Sequence, residues 1–119
     1  MLEHRWTMRT LISVNVVLCY EPLGLVRGES RDLSLNGMFV DTGRVILQNN
    51  QPVIISFSVQ GVTSNAIRTN GQIVHTSERG AGLEFVSISE KLTQVLEEVL
   101  SCHSEDDFYK RLPPQYSIA

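Results

Sequence analysis

The strongest constraint on this chain is a hydrophobic period of two. Ile12, Val14, Val16, Leu18 and Tyr20 share one face of a first strand, with Ser13 and Asn15 opposite. Such alternation lets a strand turn one side to a core and the other to water. Glu21-Pro22-Leu23-Gly24 interrupts the run with turn-forming residues. A second strand is expected over residues 25–34, and Asn36-Gly37 is a strong tight-turn signal. Residues 38–40 resume as strand before a loop through Asp41-Thr42-Gly43.

The alternation then returns. Val53, Ile55, Phe57 and Val59 interleave with Ser56, Ser58 and Gln60. Residues 66–76 read as a longer strand that Gly71 bends or bulges, and Gly80-Ala81-Gly82 leads into a last strand at 83–86. About six short strands separated by turn signals predict a small all-β barrel or sandwich. After them the period changes. Ser87 and Glu90 have the spacing of a capping box, and Leu92, Val95, Leu96, Val99 and Leu100 form one apolar stripe of a helix. This helix is expected to pack on the barrel and end near His103. The acidic, then Pro113-Pro114-bearing stretch 104–119 reads as a mobile tail.

Length and charge narrow the functions. With 119 residues there is room for one compact domain. A net charge of −3 disfavours a general affinity for nucleic acid or acidic membranes, and 7% aromatic content disfavours a stacking groove for single strands. An anion site must be local, built from a few placed cations. Eight of the ten basic residues are Arg, the type suited to bidentate contacts with phosphate and base edges. No run of 18–20 apolar residues or signal-peptide pattern appears, so no membrane insertion is expected and the cytoplasm is the expected location. Cys19 and Cys102 lack metal spacing and read as buried thiols. No catalytic set, metal set or cofactor motif is found; His4, His75 and His103 are scattered.

Two polar motifs remain. Arg5-Trp6-Thr7-Met8-Arg9 is an R-x-x-x-R pair ahead of the first strand, and Asp32-Leu33-Ser34-Leu35-Asn36-Gly37 is a D-x-S-x-x-G. Arg27 and Arg31 repeat the arginine spacing, but inside the second strand, where they read as surface charges. Alternation puts Asp32 and Ser34 on one face and Leu33 and Leu35 on the other, while Gly37 permits positive φ and close backbone approach. The same residues also suit an ordinary Asx-type turn closing a hairpin.

Taken together, the motifs resemble the ligand-binding elements of the PilZ domain family. The resemblance continues in Asn70-Gly71-Gln72-Ile73-Val74 and Gly82-Leu83-Glu84-Phe85, and covers roughly residues 3–100. It implies an all-β fold with a C-terminal helix: a small six-stranded antiparallel barrel of split, Greek-key type. Residues 1–10 would be a flexible arm, 11–103 the barrel and helix, and 104–119 the tail.

The resemblance also implies a ligand, cyclic di-GMP. Arg5 and Arg9 would clamp phosphates and guanine edges, Asp32 would accept from guanine N–H groups, Ser34 would donate to phosphate or hold the arm, and Gly37 would let the backbone come close. Trp6, Asn36 and His75 are possible secondary contacts. The implied function is a non-enzymatic receptor and adaptor, monomer or weak dimer, whose arm orders on binding and presents an altered surface to an unidentified downstream protein. With only four residues ahead of Arg5, a stand-alone module is expected. The alternative is a PilZ-like domain that binds no ligand and serves only as an interaction module.

Overall fold

A computed structural model describes residues 10–63 and 65–111, with side chains as far as Ser101. The strands are β1 (Asn15–Tyr20), β2 (Gly24–Leu33), β3 (Gly37–Asp41), β4 (Pro52–Phe57), β5 (Ile67–Ser77) and β6 (Gly80–Val86), followed by α1 (Glu90–Arg111). They form two antiparallel meanders, β1–β2–β3 and β4–β5–β6. Pairing of β1 with β4 and of β3 with β6 seals the meanders into a closed barrel in the order β1-β2-β3-β6-β5-β4. Closure leaves no exposed sheet edge, which matters for strands this rich in β-branched residues.

The inward period is the one read from the sequence. Val16, Leu18 and Tyr20 from β1, Val53, Ile55 and Phe57 from β4, and Leu83 and Phe85 from β6 are all buried. The loop after β3 covers the core with Leu47, and the Tyr20 hydroxyl accepts the Gln48 N–H at 3.3 Å. Helix α1 buries Leu92, Leu96, Val99 and Leu100, with Val95 partly buried beside them.

Several boundaries differ from expectation. Residues 11–14 keep the alternation, with Ile12 buried, but lie ahead of the β1 ladder, because Val14 bonds Ser30 through that residue's hydroxyl as well as its backbone. Gly71 stays in register between Val53 and Phe85. Its reason is space: a Cβ there would come within 2.4 Å of Ile55 Cδ1. The bulge of β5 sits instead at Val74, between Ile73 and His75. Cys19 is exposed rather than buried.

The helix cap is Ser89, whose Oγ accepts the Leu92 N–H at 3.1 Å, while Ser87 takes φ 57° and turns the chain into the helix. A left-handed residue cannot serve as the extended cap of a box, so the pattern is displaced by two residues. Residues 104–111, expected to open a mobile tail, continue α1. The sequence of 104–111 contains no Pro or Gly to break a helix, and Pro113 follows.

Candidate functional site

The D-x-S-x-x-G segment forms the end of β2, the turn after it and the start of β3. The β2–β3 register slips between Ser30, opposite Val40, and Asp32, opposite Phe39, so Arg31 is an extra residue in a bulge. The bulge reverses the ordinary rule that residues two apart share a face. Ser30 points inward and is 1% exposed, whereas Asp32 is half-buried at the outer surface and its Oδ1 accepts the Phe39 N–H at 3.1 Å.

Ser34 does not share the outer face with Asp32, because β2 ends at Leu33. It is 2% exposed and organises the turn. Its Oγ accepts from Asn36 N–H at 3.1 Å and Gly37 N–H at 3.3 Å, and its N–H donates to the Gly37 carbonyl at 2.9 Å. Leu33 fills the barrel as expected, and Leu35 packs partly buried on the core. Asn36 is exposed, with its carbonyl accepting Phe85 N–H at 2.8 Å. Gly37 is not at positive φ; close approach alone requires it, since a Cβ would lie 1.9 Å from the Leu83 carbonyl oxygen.

Cross-strand register extends the site sideways. Asp32 faces Phe39, Phe39 faces Gly82, and Gly82 faces His75. Inward neighbours Leu33, Met38, Leu83 and Ile73 are buried, so this outward row spans four strands, about 14 Å at the usual strand spacing. Gly82 is buried and has no side chain, and it stands in this row between half-buried Phe39 and exposed His75. Phe39 was not singled out from the sequence, and Gly82 only as the start of the Gly82-Leu83-Glu84-Phe85 strand, not as a site residue. The Ser34–Gly37 turn length would have paired Asp32 with Phe39, but Gly82 enters only through the long-range β3–β6 pairing.

Arg5, Trp6 and Arg9 lie outside the described residues. What is described is the chain that follows them. Thr10 and Leu33 exchange both backbone hydrogen bonds, each 2.9 Å, one residue along β2 from Asp32. The rival arginine pair stands differently. Arg27 is exposed, and Arg31 Nη2 donates to Asp41 Oδ2 at 2.6 Å. That guanidinium, with the Gly43 N–H at 2.8 Å, holds the Asp41 carboxyl below its ordinary value. Arg27 and Arg31 line a groove of about 810 Å³ together with Glu29 and Asp41, so its charges balance and it is poorly suited to a dianion. A second groove, about 860 Å³ beside Ser13, Glu29 and Thr63, has no cationic lining residue among those described.

A strand-closed barrel with a C-terminal helix, in which Thr10 pairs with the strand end ahead of this turn, defines a class of small β-barrel domains. The chain belongs to the PilZ domain family, whose model matches residues 3–101. Three solved structures share the fold. The PilZ domain of CeSA from a cellulose-synthesizing bacterium is 16% identical, with a TM-score of 0.63, covering 81% of this chain and 97% of that one. The PilZ domain of YcgR from Escherichia coli, solved with c-di-GMP, is 15% identical, with a TM-score of 0.67, covering 82% and 86%. The Bacillus subtilis inhibitor of motility MotI/DgrA is 20% identical, with a TM-score of 0.69; the match covers 87% of this chain but 51% of that protein. The comparison with curated proteins gives no match. Among the described residues no helix is long and apolar enough to cross a membrane.

Proposed function

We propose that this domain is a cyclic di-GMP receptor that works by ordering an arginine-bearing arm, without chemistry, and presents the changed surface to a partner protein. Family membership supports the ligand class, and so does the c-di-GMP held by the YcgR PilZ domain. The observation that carries the reading is the Thr10–Leu33 pair. Arg9 is joined to Thr10 by one peptide bond, about 3.8 Å from Cα to Cα. The arm therefore starts beside the strand end that bears Asp32, and both motifs can reach one ligand.

The chemistry of each part follows from its type. A guanidinium pairs bidentately with guanine O6 and N7, worth about 1–3 kcal/mol of discrimination. Charge-assisted bonds from Arg5 and Arg9 to the two phosphates add comparable amounts. Asp32 accepts guanine N1–H and N2–H, a donor pattern adenine lacks. Phe39 and His75 offer ring faces to the bases, with Gly82 between them in the row. Ser34 acts by holding the Asn36-Gly37 turn in shape. The dianion supplies the countercharge that draws two like-charged side chains together, an order–disorder switch. We read the protein as a cytoplasmic, cofactor-free monomer or weak dimer.

The test is calorimetric titration of cyclic di-GMP into wild type and Arg9→Ala, with GTP and cyclic di-AMP as controls. Wild type should bind in the micromolar range, about −8 kcal/mol, and the variant at least tenfold more weakly. Equal binding by both would remove Arg9 from the site. No heat at millimolar ligand would leave the chain a PilZ fold used for protein contact alone.

A further inference from the structure

We infer that Ser30 is a positioning residue for the arginine arm: its buried hydroxyl clamps the root of the arm to β2 and so sets where Arg5 and Arg9 start relative to Asp32. The inference rests on the receptor reading above and adds a residue outside both motifs. Ser30 follows Val26 and Gly28 onto the inward face of β2, one residue ahead of the bulge at Arg31, and is 1% exposed. Its Oγ donates to the Ile12 carbonyl at 2.5 Å and accepts the Val14 N–H at 2.9 Å, while its own N–H donates to the Val14 carbonyl at 2.9 Å. One side chain thus binds two backbone groups of a segment that lies ahead of the β1 ladder.

The need for the clamp is visible in the count of residues. Thr10 pairs with Leu33 and Val14 bonds Ser30, so Leu11, Ile12 and Ser13 run opposite Arg31 and Asp32. Three residues against two cannot form a regular ladder. The Ser30 hydroxyl replaces the missing ladder bonds, which would otherwise leave buried backbone groups unpaired. Ile12, 2% exposed, is then held in the core, and the Ser13 hydroxyl donates to Glu29 beyond it. The lead-in is therefore gripped on both sides of Asp32, at Ser30 and at Leu33. Removing the hydroxyl frees the Ile12–Val14 stretch and with it the anchorage behind the Thr10–Leu33 pair.

Ser30→Ala, Ser30→Thr and a core truncation remote from the site, Val53→Ala, separate positioning from mere stability. In each, hydrogen exchange at the Thr10, Val14 and Leu33 amides is read without ligand, and cyclic di-GMP affinity by titration. Ser30→Ala should lose at least tenfold protection at Thr10 and Val14 while Leu18 and Ile55 stay protected, and should bind about tenfold more weakly. Ser30→Thr, which retains the oxygen, should recover both. Val53→Ala should lower the melting temperature yet leave affinity unchanged. Thr10 and Val14 protection equal to wild type in Ser30→Ala would overturn the inference, and so would lost protection with undiminished affinity. Should wild type bind no cyclic di-GMP, the receptor reading fails, and the exchange measurement still decides whether Ser30 holds the lead-in.

Discussion

A Cβ built on Gly37 lies 1.9 Å from the carbonyl oxygen of Leu83, inside the distance at which any real side chain could sit. The contact arises because β3 begins at Gly37 and pairs at once with Glu84 of β6. The glycine of the D-x-S-x-x-G motif is thus a seam residue of the barrel. Gly37→Ala should destabilise the fold by about 1–3 kcal/mol, as backbone must move to admit the methyl. Urea unfolding measures it; a change below about 0.5 kcal/mol would show that the seam yields freely.

Phe39 and His75 flank Gly82 in one outward row, so their rings should matter to ligand more than to folding. Base–aromatic stacking is typically worth about 1–3 kcal/mol per base. Phe39→Ala is therefore expected to weaken cyclic di-GMP by about tenfold or more, and His75→Ala to weaken it by less. Titration of both variants, with thermal melts alongside, checks the order.

The Arg31–Asp41 pair makes a pH prediction. Arg31 and then the Gly43 N–H lower the Asp41 pKa from its ordinary value of 3.8. A carboxyl depressed in the folded state contributes stability above the unfolded pKa and loses it as pH falls through the folded value. The contribution is therefore intact at neutral pH and disappears only in acid below 3.8. Following the Asp41 carboxyl by NMR should give a midpoint below that of an unpaired Asp, and Arg31→Gln should move it upward. An unmoved midpoint would show that the surface pair does not form in solution.

Ser89 and Ser87 should respond differently at the start of α1. Ser89→Ala removes the cap on Leu92 N–H and should cost about 1 kcal/mol. Ser87→Gly relieves a left-handed residue and should be neutral or stabilising by a few tenths up to about 1 kcal/mol. Denaturant midpoints of the two variants decide the matter.

Much of this fold was legible because its information is local. Alternation at Val16, Leu18 and Tyr20, or at Val53, Ile55 and Phe57, depends only on neighbours in the chain, and those residues fill the core. What escaped depends on pairing between distant strands. The bulges at Arg31 and Val74 exist only relative to β3 and β6, so the outward facing of Asp32, two residues after inward Ser30, could not be read from β2 alone. The cap moved from Ser87 to Ser89 because the chain needs a left-handed residue to leave β6. In the site, the motif marked Asp32 and Gly37, but the burial of Ser34 follows from where β2 stops. The alignment of Phe39, Gly82 and His75 in one row follows from the β3–β6 pairing that closes the barrel.

The most direct test is a cyclic di-GMP titration of isotope-labelled protein, followed amide by amide. Binding as proposed shifts Thr10, Asp32, Phe39, Gly82 and His75 together, brings out signals of Arg5 and Arg9 in slowed exchange, and leaves Cys19 and Ile54 on the opposite wall unmoved. Shifts confined to the Arg27–Arg31 groove, or none at saturating ligand, would contradict the account.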